Sequence, residues 1–195
     1  MDIFPIFPLR MTAFPYANLS LRVFEQRYLR MTCEVMKRQQ CFVITPLLDG
    51  AEGSPDEQQF AQVGCLVRVD DFHKQADGLL ELEVQGLERV NIGRRWQEAD
   101  GLWRGEVERW PEAEEPLGVD HGCLIELFEA MCAHPLISRD SPVRCQQLPN
   151  ANVLSWKLGS CLPLPPVCQL QLLQAESATQ RLALIHSWLD HDMEC

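Results

Sequence analysis

The sequence predicts an α+β chain whose strands come first and whose helices come last. Two observations carry that expectation. Apolar residues alternate with a period of two through the first ~115 residues. After the acidic, proline-containing segment PEAEEPLG (Pro111 to Gly118) they recur every three or four residues. The expected organisation is a β-rich part over residues 1–115 and a helical part over 116–195, docked as one unit.

Each element follows from its own pattern. Asp2 to Phe7 is an apolar run bounded by prolines, and Leu19, Leu21 and Val23 alternate with Ser20 and Arg22. Gln26 to Gln39 contains no glycine or proline, and places Tyr28, Met31, Thr32, Val35 and Met36 near one helical face. Cys41 to Leu48 returns to a strand, and Asp49 to Gln59 is a polar loop. Val63, Cys65, Val67 and Val69 alternate strictly. Leu80, Leu82 and Val84 do so after the Asp77-Gly78 turn signal, so residues 62–85 form a hairpin with one buried face. A further pair is expected around Arg89–Trp96 and Leu102–Trp110, across the turn at Ala99-Asp100-Gly101. In the helical part, Val119, Leu124, Leu127, Phe128 and Met131 form one stripe. Asn152 to Cys161 forms a short helix with Val153, Leu154 and Leu158 inside, and Pro165-Pro166 starts another. Ser177 and Gln180 have capping-box spacing before a helix burying Leu182, Ile185, Trp188 and Leu189.

Composition narrows the function. The chain has 195 residues and a net charge of −11, with lysine only at positions 37, 74 and 157. Such a surface repels phosphate backbones and anionic lipid, so neither nucleic acid nor membrane is an expected partner. The nine cysteines lie mostly in apolar runs, no run reaches the length of a membrane span, and MDIFPIFPLR lacks the features of a signal peptide. Unpaired thiols in a reducing cytoplasm are expected.

The motifs of catalysis are missing. The sequence holds no GxxxxGK[ST] phosphate loop, no GxGxxG, no CxxC or HExxH, and no GxSxG elbow. Cys132 and His134 supply two candidate ligands where a structural zinc needs four, so no metal and no cofactor are expected. Ser155 and Lys157, two apart, fall on different helix faces and form no dyad. Glu114-Glu115 reads as solvated linker surface. Trp96, Trp103 and Trp110 recur every seven residues, which on strands reads as core packing rather than as a coiled coil or exposed anchors.

The opening stretch FPIFPLRMTAFPYANLSLRVFEQRYLRM resembles the start of the Lon N-terminal domain family. Pro5, Phe7, Pro8 and Leu9 match its first string, Phe14 and Pro15 its loop, and Leu19, Leu21, Val23, Phe24, Glu25, Arg27, Tyr28 and Met31 its L-x-L-x-I-F-E-x-R-Y-x-x-M string. Gly64, Asp77-Gly78, Gly86 and Arg89 are similar to its paired strands, and Leu172, Leu173, Arg181 and Leu182 to its last block. Leu170, Gln174 and Ser177 depart from the glutamine, glutamate and aspartate of that block, although Ser177 can still cap a helix.

The resemblance covers nearly the whole chain and implies a PUA-like β pseudo-barrel with one inserted helix, followed by a helical bundle. It leaves no room for an ATPase or protease domain, and implies a non-catalytic module that binds protein or peptide segments. Those segments are unfolded or extended, and an AAA+ protease is a candidate partner, which would make the chain a proteolysis adaptor. The expected groove lies where the barrel meets the helices, with Met11, Phe14, Glu25, Arg27, Tyr28, Met31 and Met36 as candidate contacts. Each has a structural alternative: Glu25 at a helix N-terminus, Arg27 on a carboxylate, Tyr28 and the others in the core. Two further classes stay open, a small enzyme with an unrecognised site and, by fold analogy alone, an RNA-binding module.

Overall fold

The structure, a computed structural model, describes residues 2–48, 59–75, 79–133 and 148–192. The Asp77-Gly78 turn, nearly all of the Asp49–Gln59 loop and His134 lie outside the described residues. The chain is mixed α+β, with six strands and five helices among the described residues. It divides into two compact units, Met1–Trp110 and Pro111–Cys195.

The first unit runs β1 (Asp2–Leu9), β2 (Asn18–Val23), α1 (Gln26–Arg38), β3 (Phe42–Pro46), β4 (Val63–Lys74), β5 (Leu80–Gln97) and β6 (Trp103–Arg109). The sheet order is β2-β5-β4-β3-β1-β6, and β6 also pairs with β5. Five strands therefore close a circuit, and β2 stands outside it along the first part of β5. The prolines of β1 fit this arrangement. Residues 2–6 pair with β6 and residues 6–9 with β3, so each half has one neighbour and a missing N–H costs no ladder bond on the open side.

Two features of the strands differ from expectation. Residues 80–97 form one strand where two were expected, and Gly86 lies within it. Its amide donates to the Ala17 carbonyl at 2.8 Å, and the strand runs on past Phe14, which leaves no room for a Cβ. Register shifts at Leu66/Val67 and Val69/Asp71 against β4, and at Ile92/Arg95 against β6, bend it round the circuit. The 62–85 hairpin is also not buried on one face only. Val63 to Val67 are buried on both faces and the strand is largely exposed from Arg68 onward. Cys65 and Val67 join the larger core cluster with Leu21, Leu82 and α1, while Leu66 joins a second cluster with Ile6, Phe60 and Val90.

Helix α1 buries Tyr28, Met31, Thr32 and Val35, and ends on Gln39 in the left-handed region at φ 51°. Met36, expected on the same face, is 37% exposed. Charge anchors the outer side of α1 to the β5–β6 turn. Arg30 bonds Asp100 at 2.6 and 2.9 Å and also pairs with Glu98, while Arg104 bonds Glu98 and Glu34 at 2.5 Å each. Trp103 packs edge-on against Phe60 at 5.3 Å, and the Arg89 guanidinium lies 4.0 Å over the Trp110 ring.

The second unit contains a 3₁₀ turn (Val119–His121), α2 (Gly122–Ala133), α3 (Ala151–Cys161), α4 (Pro166–Gln174) and α5 (Ala178–Asp192). Val119 precedes α2 and is 98% exposed, so the expected stripe narrows to Leu124 and Phe128 as its buried members. Leu182 and Ile185 are buried on α5, whereas Trp188 and Leu189 are half-buried. Ser177 accepts the Gln180 amide at 3.1 Å, and the Gln180 side chain reaches back to the Glu176 amide at 2.8 Å.

Helix α3 is buried from Ala151 to Gly159, polar residues included. Buried polar groups need partners, and Arg181, with no exposed surface, supplies them. It donates to Ser155 Oγ and Asn152 Oδ1 at 2.9 Å each and to both Glu112 oxygens at 3.3 and 3.2 Å, and it stacks 3.8 Å over Trp156. The 111–118 segment is largely exposed, Glu114 included, but Glu112 and Glu115 are not free surface charges. The Glu115 carboxylate accepts the Ala178 and Thr179 amides at 2.6 and 2.9 Å, holding the first turn of α5, because its extended, proline-held backbone points carboxylates at helix termini. Ser155 belongs to this network, and burial pulls the Lys157 ammonium pKa down. Cys132 is disulfide-bonded, which corrects the expectation of unpaired thiols at that position. Spacing along the chain does not reveal which Cβ atoms folding brings together. Cys33, Cys41, Cys65, Cys123, Cys161 and Cys168 form no disulfide.

These carboxylates imply acid sensitivity in both units. Hydrogen bonds from Arg30 hold the Asp100 carboxyl below its ordinary value. Burial pushes Glu98 and Glu115 up, but bonds from Arg30 and Arg104 to the first, and from Thr179 and Ala178 to the second, outweigh it and leave both lowered. A lowered folded-state pKa gives stability that is fully present above the unfolded value, about 4 to 4.5, and is lost as pH falls through the folded one. Thermal unfolding is therefore expected to be level from pH 7 to 5 and to decline below pH 4. Asp100→Asn should flatten part of that decline.

Candidate functional site

The site is built by the ends of two strands and the start of α1. After Val23, β2 stops and Phe24 carries the chain to Glu25, the residue before α1. Glu25 keeps extended backbone and its carbonyl accepts the Tyr28 and Leu29 amides at 3.0 Å each. Its carboxylate does not cap the helix, as the structural reading of this residue would have it. It binds Arg27 instead, at 2.9 Å to Nε and 2.8 Å to a terminal nitrogen. Arg27 also donates to the Gly101 carbonyl at 3.1 Å and lies 4.7 Å from the Tyr28 ring centre. Tyr28 is buried and stacks on Phe7 with ring centres 3.9 Å apart.

Between β1 and β2, which do not pair, lies a cavity of about 370 Å³. One wall is Phe7 to Arg10, the other Arg22 to Glu25, and Arg27, Tyr28 and Leu47 complete it. Every lining residue falls between positions 7 and 47, within the first unit. Phe24 is 65% exposed at its edge. Burial, foremost, pushes the Tyr28 phenol up to about 12, so it stays protonated at neutral pH. The lining holds no histidine, cysteine, serine or lysine, and its one carboxylate is tied to Arg27. A nucleophile with its base, or an acid with its base, does not converge here. What the cavity offers is apolar surface with a cationic rim.

The candidate contacts separate clearly. Glu25, Arg27 and Tyr28 come together at this cavity. Phe14 and Met31 are buried core residues, and Met11 and Met36 are partly exposed but do not line it. Arg10, Arg22 and Phe24 were not among the candidates. A signal for Phe24 was present: it follows Val23 on the phase otherwise held by Ser20 and Arg22, so the alternation turns a large aromatic ring outward. Among the described residues no group of His, Cys, Asp and Glu is placed to hold a metal ion, and no helix is long and apolar enough to cross a membrane.

Residues 3–191 match the family described as the ATP-dependent protease La (LON) substrate-binding domain. The chain belongs to this family. It is 23% identical to the Lon protease of Rhizobium meliloti (strain 1021) over 184 residues, which are 92% of this chain and 23% of that protein. It is 20% identical to the Lon protease of Azospirillum brasilense over 196 residues, 98% of this chain and 24% of that one. The chain thus spans about a quarter of the length of these curated relatives. Among solved structures it is similar to the Lon N-terminal domain protein from Xanthomonas campestris, with a TM-score of 0.79 and 31% identity over 96% of this chain and 99% of the other. The N-terminal domain of the Mycobacterium avium complex Lon protease shares the fold, with a TM-score of 0.69 and 17% identity over 96% and 97% of the two chains.

Proposed function

We propose that this domain is a non-catalytic module that binds extended or partly unfolded polypeptide segments, and that the cavity between β1 and β2 is where it holds them. One observation carries the reading: the cavity joins an outward Phe24 ring to apolar walls and has no convergent acid, base or nucleophile. Concave, mostly apolar surface with a few polar groups is what ligand recognition uses. The family's description as a substrate-binding domain supports the same reading. The closed circuit of strands fits a PUA-like pseudo-barrel and the second unit a helical bundle. Service to an AAA+ protease, as adaptor or as holdase, completes the proposal, and the six cysteines that form no disulfide support a cytoplasmic location despite the bond at Cys132. The segments were expected where the strands meet the helices; the cavity that supports the reading now is lined by residues 7–47 alone.

A fluorescently labelled unfolded polypeptide titrated at low and high salt tests this. Apolar contacts survive screening, so binding is expected at both. Absence at both, or abolition by salt, would contradict the proposal. Phe24→Ser removes the exposed ring from a position that carries little core packing. It is expected to weaken binding at least tenfold, about 1.4 kcal/mol, with the melting temperature unchanged. Affinity capture from native lysate separates the two roles: AAA+ protease subunits mark an adaptor, and mixed unfolded clients a holdase.

A further inference from the structure

We infer that the cavity selects segments in which an apolar side chain is flanked two residues away by carboxylates, and that the segment lies as an added strand along the open edge of β2. This rests on the reading that the cavity binds polypeptide, and adds which polypeptides and in what pose.

The two walls are unequal as strand templates. Among the described residues, β2 is bonded to β5 on one side and to no strand on the other. The Gly86 amide donates to the Ala17 carbonyl, so residue 17 faces β5. Backbone groups alternate along a strand, so 19, 21 and 23 face β5 as well, and Ser20 and Arg22 turn theirs to the open side. On β1 the Leu9 carbonyl accepts the Leu47 amide at 2.8 Å, so Leu9 faces β3 and Pro8 faces away from it. Proline has no N–H to offer, which makes that wall blunt and apolar. An incoming segment therefore finds its ladder on β2 and a hydrophobic stop on β1.

Charge then chooses the segment. The chain carries a net charge of −11, yet the lining holds three arginines and one glutamate. Arg27 is engaged with Glu25 and Gly101. Arg10 and Arg22 are exposed and make no hydrogen bond or ion pair with a described residue, although Arg22 stands opposite Glu81 on β5 and, after the hydrogen bond from Ser20, helps to hold that carboxyl below its ordinary value. Arg22 and Phe24 stand two apart on the outward phase of the chain, which in a paired strand places neighbouring side chains about 7 Å apart. A partner strand that sets an apolar residue against Phe24 places the residue two positions along against Arg22, where a carboxylate fits the guanidinium.

The test uses the full chain and labelled, C-terminally amidated decapeptides built around Glu-x-Phe-x-Glu or Lys-x-Phe-x-Lys, read by fluorescence anisotropy. At low salt the acidic peptide is expected to bind about fivefold tighter, the size that two solvent-exposed charge pairs supply. High salt should erase the preference while leaving binding. The double variant Arg10→Glu with Arg22→Glu should reverse it. Because Arg22→Glu also sets like charges opposite Glu81, the neutral pair Arg10→Gln with Arg22→Gln is measured beside it and should erase the preference at a nearly unchanged melting temperature. N-methylation of alternate backbone amides should abolish binding in one of the two alternating sets and spare the other. Equal affinity for both peptides, or a preference that the charge reversal leaves intact, overturns the selectivity while the apolar binding reading stands. Equal tolerance of both methylated sets overturns the strand pose. Failure of every peptide to bind, at either salt, overturns the underlying reading and this inference with it.

Discussion

Arg181→Ala is expected to cost the second unit about 3–5 kcal/mol, the loss that follows when one partner of a buried, hydrogen-bonded ion pair is removed. The guanidinium has no exposed surface and joins Ser155, Asn152 and Glu112 while stacked on Trp156. Its loss leaves the Ser155 and Asn152 oxygens without their donor inside α3, and leaves a void beside the indole. Glu112→Gln should cost a comparable amount, because it leaves the buried guanidinium without its counter-charge even though the amide oxygen can still accept the Trp156 indole N–H, now bonded at 3.0 Å. Because the chain divides into two units, urea unfolding should be followed by a probe of the second one. Hydrogen exchange at the α3 and α5 amides reports the second unit separately, whereas tryptophan fluorescence would mix it with Trp96, Trp103 and Trp110 of the first. A loss under about 1 kcal/mol would mean that the network is ornamental to stability.

Gly86→Ala should be comparably damaging to the first unit, at about 3 kcal/mol or more, as expected for overpacking against backbone that cannot yield. A Cβ there would sit 2.0 Å from the Phe14 carbonyl oxygen, 2.9 Å from its carbon and 3.2 Å from the Cys65 sulfur. The contact also closes the loop between β1 and β2, since Gly86 bonds Ala17 and its carbonyl accepts the Tyr16 amide at 2.9 Å. Relieving the clash would therefore shift the strand that carries Arg22 and lower affinity for polypeptide as well. Gly93→Ala is the control. Its added carbon would meet only the Glu106 carbonyl, at an ordinary 3.6 Å, so its effect should stay within about 0.5 kcal/mol. Thermal unfolding of the two variants side by side decides the matter, and equal stabilities would refute the close-approach account.

What could be read from the sequence divides along physical lines. Local periodicity was legible. The alternation at Leu19, Leu21 and Val23 and the face formed by Tyr28, Met31, Thr32 and Val35 appear as β2 and α1, because one buried side of an element imposes its own period. Long-range contacts were not. Leu80–Val84 and Arg89–Trp96 read as separate strands until Phe14, far along the chain, shows why Gly86 lets one strand run through both. Glu115 reads as linker charge until the α5 amides that it caps come into view. Arg181 stood out within the family resemblance, but its partners lie at Glu112, Asn152 and Ser155, which no spacing rule connects. The candidate site was half legible for the same reason. Glu25, Arg27 and Tyr28 lie in one contiguous string, whereas Arg10 and Leu47 reach the cavity only because β1 and β3 pair in parallel. Met31 and Phe14 went the other way: adaptable apolar residues near a site are more often its foundation than its surface, and both are buried.

The most direct test of the central claim is to map where an unfolded polypeptide touches the domain, by recording backbone amide shifts of the isotopically labelled chain during titration. The expected result is a contiguous set of perturbed amides at Leu9, Arg10 and Arg22 to Tyr28, with Leu47 beside them, saturating together and persisting at high salt. Perturbations confined to the second unit, or scattered over the surface without saturation, would contradict the assignment of the cavity between β1 and β2 as the binding site.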